Sequence, residues 1–349
     1  MTDHANIFAF LIGASTTFFA IFAIHILFWR KNSTRFQTVL GLIMVIWALW
    51  TLKDLVFTFP GMYTDEVLNW ILIIDGWSAL TYTVFVAEVV VPGWTTPRRL
   101  GLLSVPFVLF TAAYGLYPGK IVIQAYLTFL WFYAWTVVAV CYMKAKRYLD
   151  YIRKNYSNID KIDVSWLKPV FFFAIISQLT WLGASVYANP WTDIVYYISN
   201  IVLWLVVLHY CWDFRPIVIE NEQVPVPQHK ITTYFAEGTL EKLVEEQRLY
   251  LNPNLTLQDL AQLSGTNRTY VSNYLSQVRR QTFYDYINQL RIERTALPLM
   301  REHPEFTLEY IAQQSGFASI STFRRAFVKL KDQTPSQFKS MGGASEPEP

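Results

Sequence analysis

The sequence predicts an all-α protein with two regions: a seven-helix transmembrane bundle, then a cytoplasmic all-α domain with two helix-turn-helix units. Three observations predict it. The 349 residues are 53% hydrophobic, 17% aromatic and only 16% charged, too apolar for an ordinary soluble chain. The excess is localised, because all thirteen tryptophans precede Asp213, after which apolar runs shorten and charges crowd. Beyond Asp213, the same pattern of apolar and glycine positions occurs twice.

A helix needs about 18 to 25 apolar residues to cross hydrocarbon. Such stretches lie at 7–29, 36–59, 67–91, 100–117, 121–143, 166–188 and 191–212, so residues 1–212 read as a seven-helix sensory or anchor domain. The fourth is short and contains Pro106, which membrane helices tolerate when neighbours satisfy the freed carbonyl. Arg30, Lys31 and Arg35 follow the first stretch, and Arg98 and Arg99 the third. Lys144, Lys146, Arg147, Arg153, Lys154, Lys161 and Lys168 line the link after the fifth. The alternate loops offer only Lys120. The positive-inside rule then puts the N-terminus outside a bacterial inner membrane and everything beyond Asp213 in the cytoplasm. The first stretch lacks a small-residue cleavage site and reads as an anchor.

Ionisable groups within membrane stretches are costly and each raises a functional question. Counted inward, Lys53 and Asp54 sit at the depth of Asp75, and a Lys53–Asp75 pair is geometrically allowed. His25, Glu88 and His209 form a second group near the inner ends. Either group ties helices together structurally, or the outer one lines a site for a small signal and the inner one senses protons. Cys141 and Cys211 lack disulfide or zinc spacing. No HExxH, phosphate loop or nucleophile with a base is present, so no enzyme, cofactor or metal is expected.

Residues 213–237 carry prolines at 216, 225 and 227 and read as a flexible linker. From 238 to 340 the pattern is helical. TLEKLVEEQRLYL forms a first helix ended by Asn252 and Pro253. In LTLQDLAQLSGTNRTYVSNYLSQV, Thr256 caps a helix with Asp259. Ala261, Gly265 and Val271 then stand at the fifth, ninth and fifteenth positions of a helix-turn-helix. Leu257, Leu260, Ala261 and Gly265 recur as Leu308, Ile311, Ala312 and Gly316 at an offset of 51. Beyond the turn, Val271, Leu275, Thr282 and Tyr286 recur as Phe323, Phe327, Thr334 and Phe338 at 52, so the second turn is one residue longer. Thr307 caps the second unit as Thr256 caps the first. FYDYINQLRIERTALPLMREH joins the two as one helix that Pro298 should kink or shorten. Residues 341–349 read as a disordered tail.

The net charge of +3 hides a basic face. From Gly265 to Arg294 and Phe317 to Lys339 there are ten Lys or Arg against three acidic residues, Asp285, Glu293 and Asp332. That asymmetry suits phosphate contact with double-stranded DNA.

The segments IAQQSGFASISTFRRAFVKLKDQTPSQFK and DLAQLSGTNRTYVSNYLS resemble the two helix-turn-helix units of AraC-type bacterial transcription regulators. The resemblance covers about 100 residues, Gly238 to Phe338, and departs from the family where Asp332 replaces a common glycine and where Pro298 stands in the linker helix. The bundle resembles seven-span sensory modules attached to such domains. The resemblance implies two recognition helices entering successive major grooves about 34 Å apart. By position, Arg268, Thr269, Ser272 and Asn273 in the first and Ile320, Ser321, Arg324 and Arg325 in the second face the DNA. Arg279, Arg280, Lys329 and Lys331 suit phosphate contacts. The implied protein is a membrane-bound one-component sensor coupling a signal to promoter binding, with a homodimer as further partner state. The alternative is a regulator whose bundle docks another membrane protein instead of binding a small molecule.

Overall fold

Among the described residues of the computed structural model, 2–30, 33–59, 61–62, 64–187, 190–219 and 239–340, every regular element is a helix. Most of the linker read at 213–237 and the tail at 341–349 lie outside them. The chain forms two compact units, Met1–Tyr148 with Val164–Ile219, and Leu149–Asp163 with Glu220–Pro349.

The first unit holds α1 (Thr2–Ile24, extended by a π turn His25–Trp29), α2 (Arg35–Lys53, followed by a 3-10 turn Asp54–Thr58), α3 (Asp65–Gly76), α4 (Ser78–Val90), α5 (Pro97–Leu116), most of α6 (Lys120–Asn155), α7 (Leu167–Tyr187) and α8 (Pro190–Cys211). Starts follow capping chemistry. Thr34 and Gln37 make a reciprocal box at α2, Thr64 caps α3, and Thr96 caps α5 ahead of Pro97 in its first turn. α1 packs along α2 and α8, and α7 along α8. Trp204 is fully buried beside Phe19, Trp47, Tyr82 and Phe85, with ring centroids 5.6 to 6.2 Å away.

By length and composition, six helices in the described residues are long and apolar enough to cross a membrane. They are Ala9–Trp29, Arg35–Val56, Asp65–Val90, Pro97–Leu116, Lys120–Asn155 and Ile194–Cys211; the apolar stretch Leu167–Trp181 is shorter. Pro106 sits inside α5 without ending it.

Two expected spans differ in detail. The third breaks at Trp77, whose amide turns to the Ile74 carbonyl at 3.0 Å. The Ile73 carbonyl accepts instead from the Tyr126 hydroxyl at 3.0 Å, so no buried acceptor is orphaned. A Cβ at Gly76 would overlap that hydroxyl, so only glycine admits the tyrosine. The fifth does not end near 143. α6 continues to Asn155, so Lys144 to Lys154 are helical instead of a loop, and its last turns belong to the second unit.

The second unit holds α9 (Thr239–Glu246), α10 (Leu257–Leu263), α11 (Arg268–Gln277), α12 (Phe283–Arg291), α13 (Leu297–Glu302), α14 (Leu308–Gln314), α15 (Ile320–Lys331) and α16 (Pro335–Ser340). α9 is shorter than the apolar pattern implied. It stops at Glu246, Arg248 turns left-handed at φ 49°, and Leu249–Leu251 make a 3-10 turn that brings Tyr250 into the core. The connecting helix is not one uniform α-helix: its first α-helical part ends at Arg291, ahead of Pro298. A π turn over Ile292–Ala296 joins α12 to α13 and leaves Pro298 in the first turn of α13, where its missing N–H is harmless.

Two cores result. One gathers Leu240, Val244, Leu257, Leu260, Val271, Leu275, Phe283 and Ile287; the other gathers Ile292, Met300, Ile311, Phe317, Phe323, Phe327 and Phe338. They meet at Gly316, where φ is +81° and a Cβ would lie 2.6 Å from the Leu251 carbonyl oxygen. Arg291 joins them too. It is 1% exposed, with Nε donating to the Tyr250 carbonyl and Nη2 to the Asn252 carbonyl, both at 2.7 Å, and its guanidinium lies 5.5 Å from the Phe317 ring centre.

Candidate nucleic-acid interface

Each helix-turn-helix is built by the same local chemistry. Thr256 accepts from the Asp259 amide at 3.2 Å and Asp259 accepts from the Thr256 amide at 2.9 Å, closing the start of α10. Thr307 accepts from the Tyr310 amide at 3.2 Å at the start of α14. The turns pass through Gly265 at φ +70° and Gly316 at φ +81°. After them Asn267 caps α11 and Ser319 caps α15. The caps are 52 residues apart while Gly265 and Gly316 are 51 apart, so the extra residue lies in the second turn.

In α11, Val271, Tyr274 and Leu275 are buried, while Arg268, Thr269, Ser272 and Asn273 are half-buried on the remaining faces. In α15, Phe323 and Phe327 are fully buried, and Ser321, Arg324 and Arg325 are exposed. Ile320 leans on the second core as a partly buried apolar residue.

Arg279 and Lys329, both suited to phosphate, have acidic partners within the unit. Arg279 Nε donates to Glu241 at 2.6 Å, which raises the guanidinium's pKa, and Glu241 also accepts from the Tyr274 hydroxyl at 2.9 Å. Lys329 Nζ lies 2.7 Å from Asp285. Arg280 is exposed at φ 53° and Lys331 is half-buried.

Sequence reasoning missed the segment after α6. The Ser157 amide and hydroxyl both donate to the Leu255 carbonyl, at 3.2 and 2.7 Å, and Tyr156 bridges Thr256. Arg291 Nη1 reaches the Ser157 carbonyl at 3.1 Å and Nη2 its hydroxyl at 3.2 Å. Ser157 and Ile159 are buried. Beyond them, Asp160 lies 3.2 Å from Arg325 Nη2 and Asp163 lies 3.3 Å from Arg325 Nη1; Asp160 also accepts from the Thr322 hydroxyl. Tyr284 shares this neighbourhood: burial pushes its phenol up to about 12, Arg325 pulls it down, and Asp160 and Asp163 push it up. Arg291 belongs by sequence to the basic face, yet it is interior, and burial lowers it to about 10, still a cation at neutral pH. No sequence period marks these pairings, which join residues 98 to 165 positions apart.

In the first unit, Lys53 Nζ stands 2.7 Å from Asp75 and also pairs with Asp54, which accepts from the Tyr197 hydroxyl. Asp75 lines a cavity of about 250 Å³ together with Trp47, Tyr82, Trp131, Trp181 and Trp204. His25, Glu88 and His209 each have local partners. Glu88 accepts from the Gly93 and Thr95 amides at 2.9 and 2.7 Å, His25 stacks on Trp212 with centroids 5.1 Å apart, and His209 lies against Tyr210. Among the described residues no cluster of His, Cys, Asp or Glu could hold a metal ion.

Comparison with known proteins agrees on the C-terminal region. A helix-turn-helix domain family matches residues 260–341. An uncharacterized HTH-type transcriptional regulator of Staphylococcus aureus (strain COL) is 26% identical over 116 residues, 33% of this chain. The chain spans only 15% of the length of that relative. The uncharacterized HTH-type transcriptional regulator YdeC of Bacillus subtilis (strain 168) is 21% identical over 184 residues, 51% of this chain and 62% of its own length. No solved structure matches the chain significantly. The glycine turns, buried apolar positions and the caps Asn267, Thr307 and Ser319 within residues 260–341 are thus those of a helix-turn-helix domain.

Proposed function

We propose that this chain is a sequence-specific DNA-binding transcription regulator of the AraC type, held at the bacterial inner membrane by its apolar bundle with the second unit in the cytoplasm. The observation that carries the reading is the repeated unit itself. Two capped helices, α11 and α15, each follow a glycine turn and bury one apolar face, leaving polar and basic positions on the other. Arg268, Thr269, Ser272 and Asn273 read one half-site, and Ser321, Arg324 and Arg325 the other, with Ile320 at its edge. Arginine takes guanine bidentately and asparagine takes adenine. Arg279, Arg280, Lys329 and Lys331 set the register on the phosphates.

The bundle serves as the sensing region. The Lys53, Asp54 and Asp75 cluster beside an aromatic-walled cavity supports a small-molecule signal over a docking platform, since a platform needs no interior space. Pairing of two chains at the membrane raises the effective concentration of their DNA units.

The test is selection of bound duplexes from a random pool by the full-length protein in lipid nanodiscs. Two short motifs about one helical turn apart are expected. Arg324→Ala should relax one of them at a cost of about 1–3 kcal/mol. A pool that stays featureless while binding persists contradicts sequence-specific reading.

A further inference from the structure

The carboxylates of Asp160 and Asp163 occupy donors on a helix assigned to DNA. Arg325 uses one terminal nitrogen for each, at 3.2 and 3.3 Å, and the Thr322 hydroxyl goes to Asp160. A guanidinium offering both terminal nitrogens to two adjacent oxygens is the arrangement by which arginine grips guanine or phosphate.

An exposed ion pair alone would carry little. Here the carboxylates are placed by a buried anchor. Ser157 is fully buried and held by Leu255 and Arg291, and Ile159 is 3% exposed. The Asp160 amide is turned back onto Asn158 at 3.1 Å, and the Asp163 amide onto the Ile159 carbonyl at 2.7 Å. The side chains of Asp160 and Asp163 are only 21% and 11% exposed. The closed contact also carries a cost that favours release, because the second Asp160 oxygen is buried with no hydrogen-bond partner among the described residues.

We propose that residues 156–163 are an internal competitor of DNA: they hold Arg325 and Thr322 of α15 with two carboxylates and must withdraw before that helix enters a groove. The proposal rests on the DNA-binding reading above. Arg325 cannot serve both sets of acceptors, and two fixed negative charges beside α15 repel phosphates well within a screening length of about 8 Å. Because the segment follows α6 directly in the chain, movement of that helix reaches the recognition helix through the ion pairs of Asp160 and Asp163. The second half-site helix is thereby gated, while α11 is left to its own contacts.

The experiment measures binding of a 40-base-pair mixed-sequence duplex at low salt by fluorescence anisotropy, using the full chain in nanodiscs. Asp160→Asn with Asp163→Asn should tighten binding about threefold to tenfold. Glu246→Gln with Glu302→Gln removes the same charge from two exposed positions elsewhere in the unit and should change it far less. In an Arg325→Ala background the asparagine pair should bring no more than the glutamine pair. Hydrogen exchange at Asp160–Asp163 of the unaltered protein should quicken when duplex is added. Equal gains from both pairs, a gain that survives Arg325→Ala, or unchanged exchange at full occupancy overturns the proposal and leaves DNA binding standing. Failure of the unaltered chain and every variant to bind duplex removes both.

Discussion

Gly265 and Gly316 occupy the same place in their turns and have the same left-handed backbone, yet their surroundings differ. A Cβ at Gly265 meets open space, whereas one at Gly316 would strike the Leu251 backbone at 2.6 Å. Gly265→Ala should therefore cost only the backbone penalty, about 1–2 kcal/mol, and leave the unit folded. Gly316→Ala should cost clearly more and loosen the seam between the cores. Hydrogen exchange of the α12 and α15 amides distinguishes them; equal protection in both variants contradicts the account. Arg291 makes a second case. Its hydrogen bonds reach Tyr250, Asn252, Asn288 and Ser157, so Arg291→Met strands several buried acceptors and should cost roughly 3 kcal/mol or more. The turn glycines were legible in the sequence because φ > 0 selects their type. Arg291 was not, because a buried arginine and a phosphate-facing one look alike in a list of charges.

Among the elements, α10, α11, α14 and α15 were legible because caps, glycines and apolar spacing agree. The extra residue in the second turn was visible as a shift in offset from 51 to 52. Boundaries set by backbone detail were not. The end of α9 at a left-handed arginine and the π turn before Pro298 have no motif of their own, and the break at Trp77 goes with a hydroxyl 53 positions from the carbonyl it meets. Within α15, Lys329 pairs with Asp285 on α12. Lys329→Ala should weaken duplex binding equally across sequences and lower the slope of log affinity against log salt by about 1. A sequence-dependent loss would reassign Lys329 to base contact.

For the molecule as a whole, tryptophan and charge distribution mark a change of composition at Asp213, whereas the first compact unit runs on to Ile219 and residues 149–163 belong to the second, a share that no sequence signal marks. Lysines 144, 146 and 154, read as loop charges, lie on a helix that runs into that unit. If the bundle senses through its buried charges, Lys53→Met and Asp75→Asn should each change the dependence of promoter output on the inducing condition while the protein remains in the membrane fraction. Unchanged induction in both returns the Lys53–Asp75 pair to a purely structural role. A cytoplasmic reporter fused after residue 340 should be active, and an exterior one silent, if the basic loops orient the bundle as the charge rule expects.

Whether a bundle of apolar helices carries a duplex-binding unit is decided by titrating the full-length protein in nanodiscs with duplex DNA over a range of salt. Saturable binding whose affinity falls steeply and linearly with log salt is the predicted result. Absence of binding at the lowest salt, with the second unit still protected from hydrogen exchange, would contradict it.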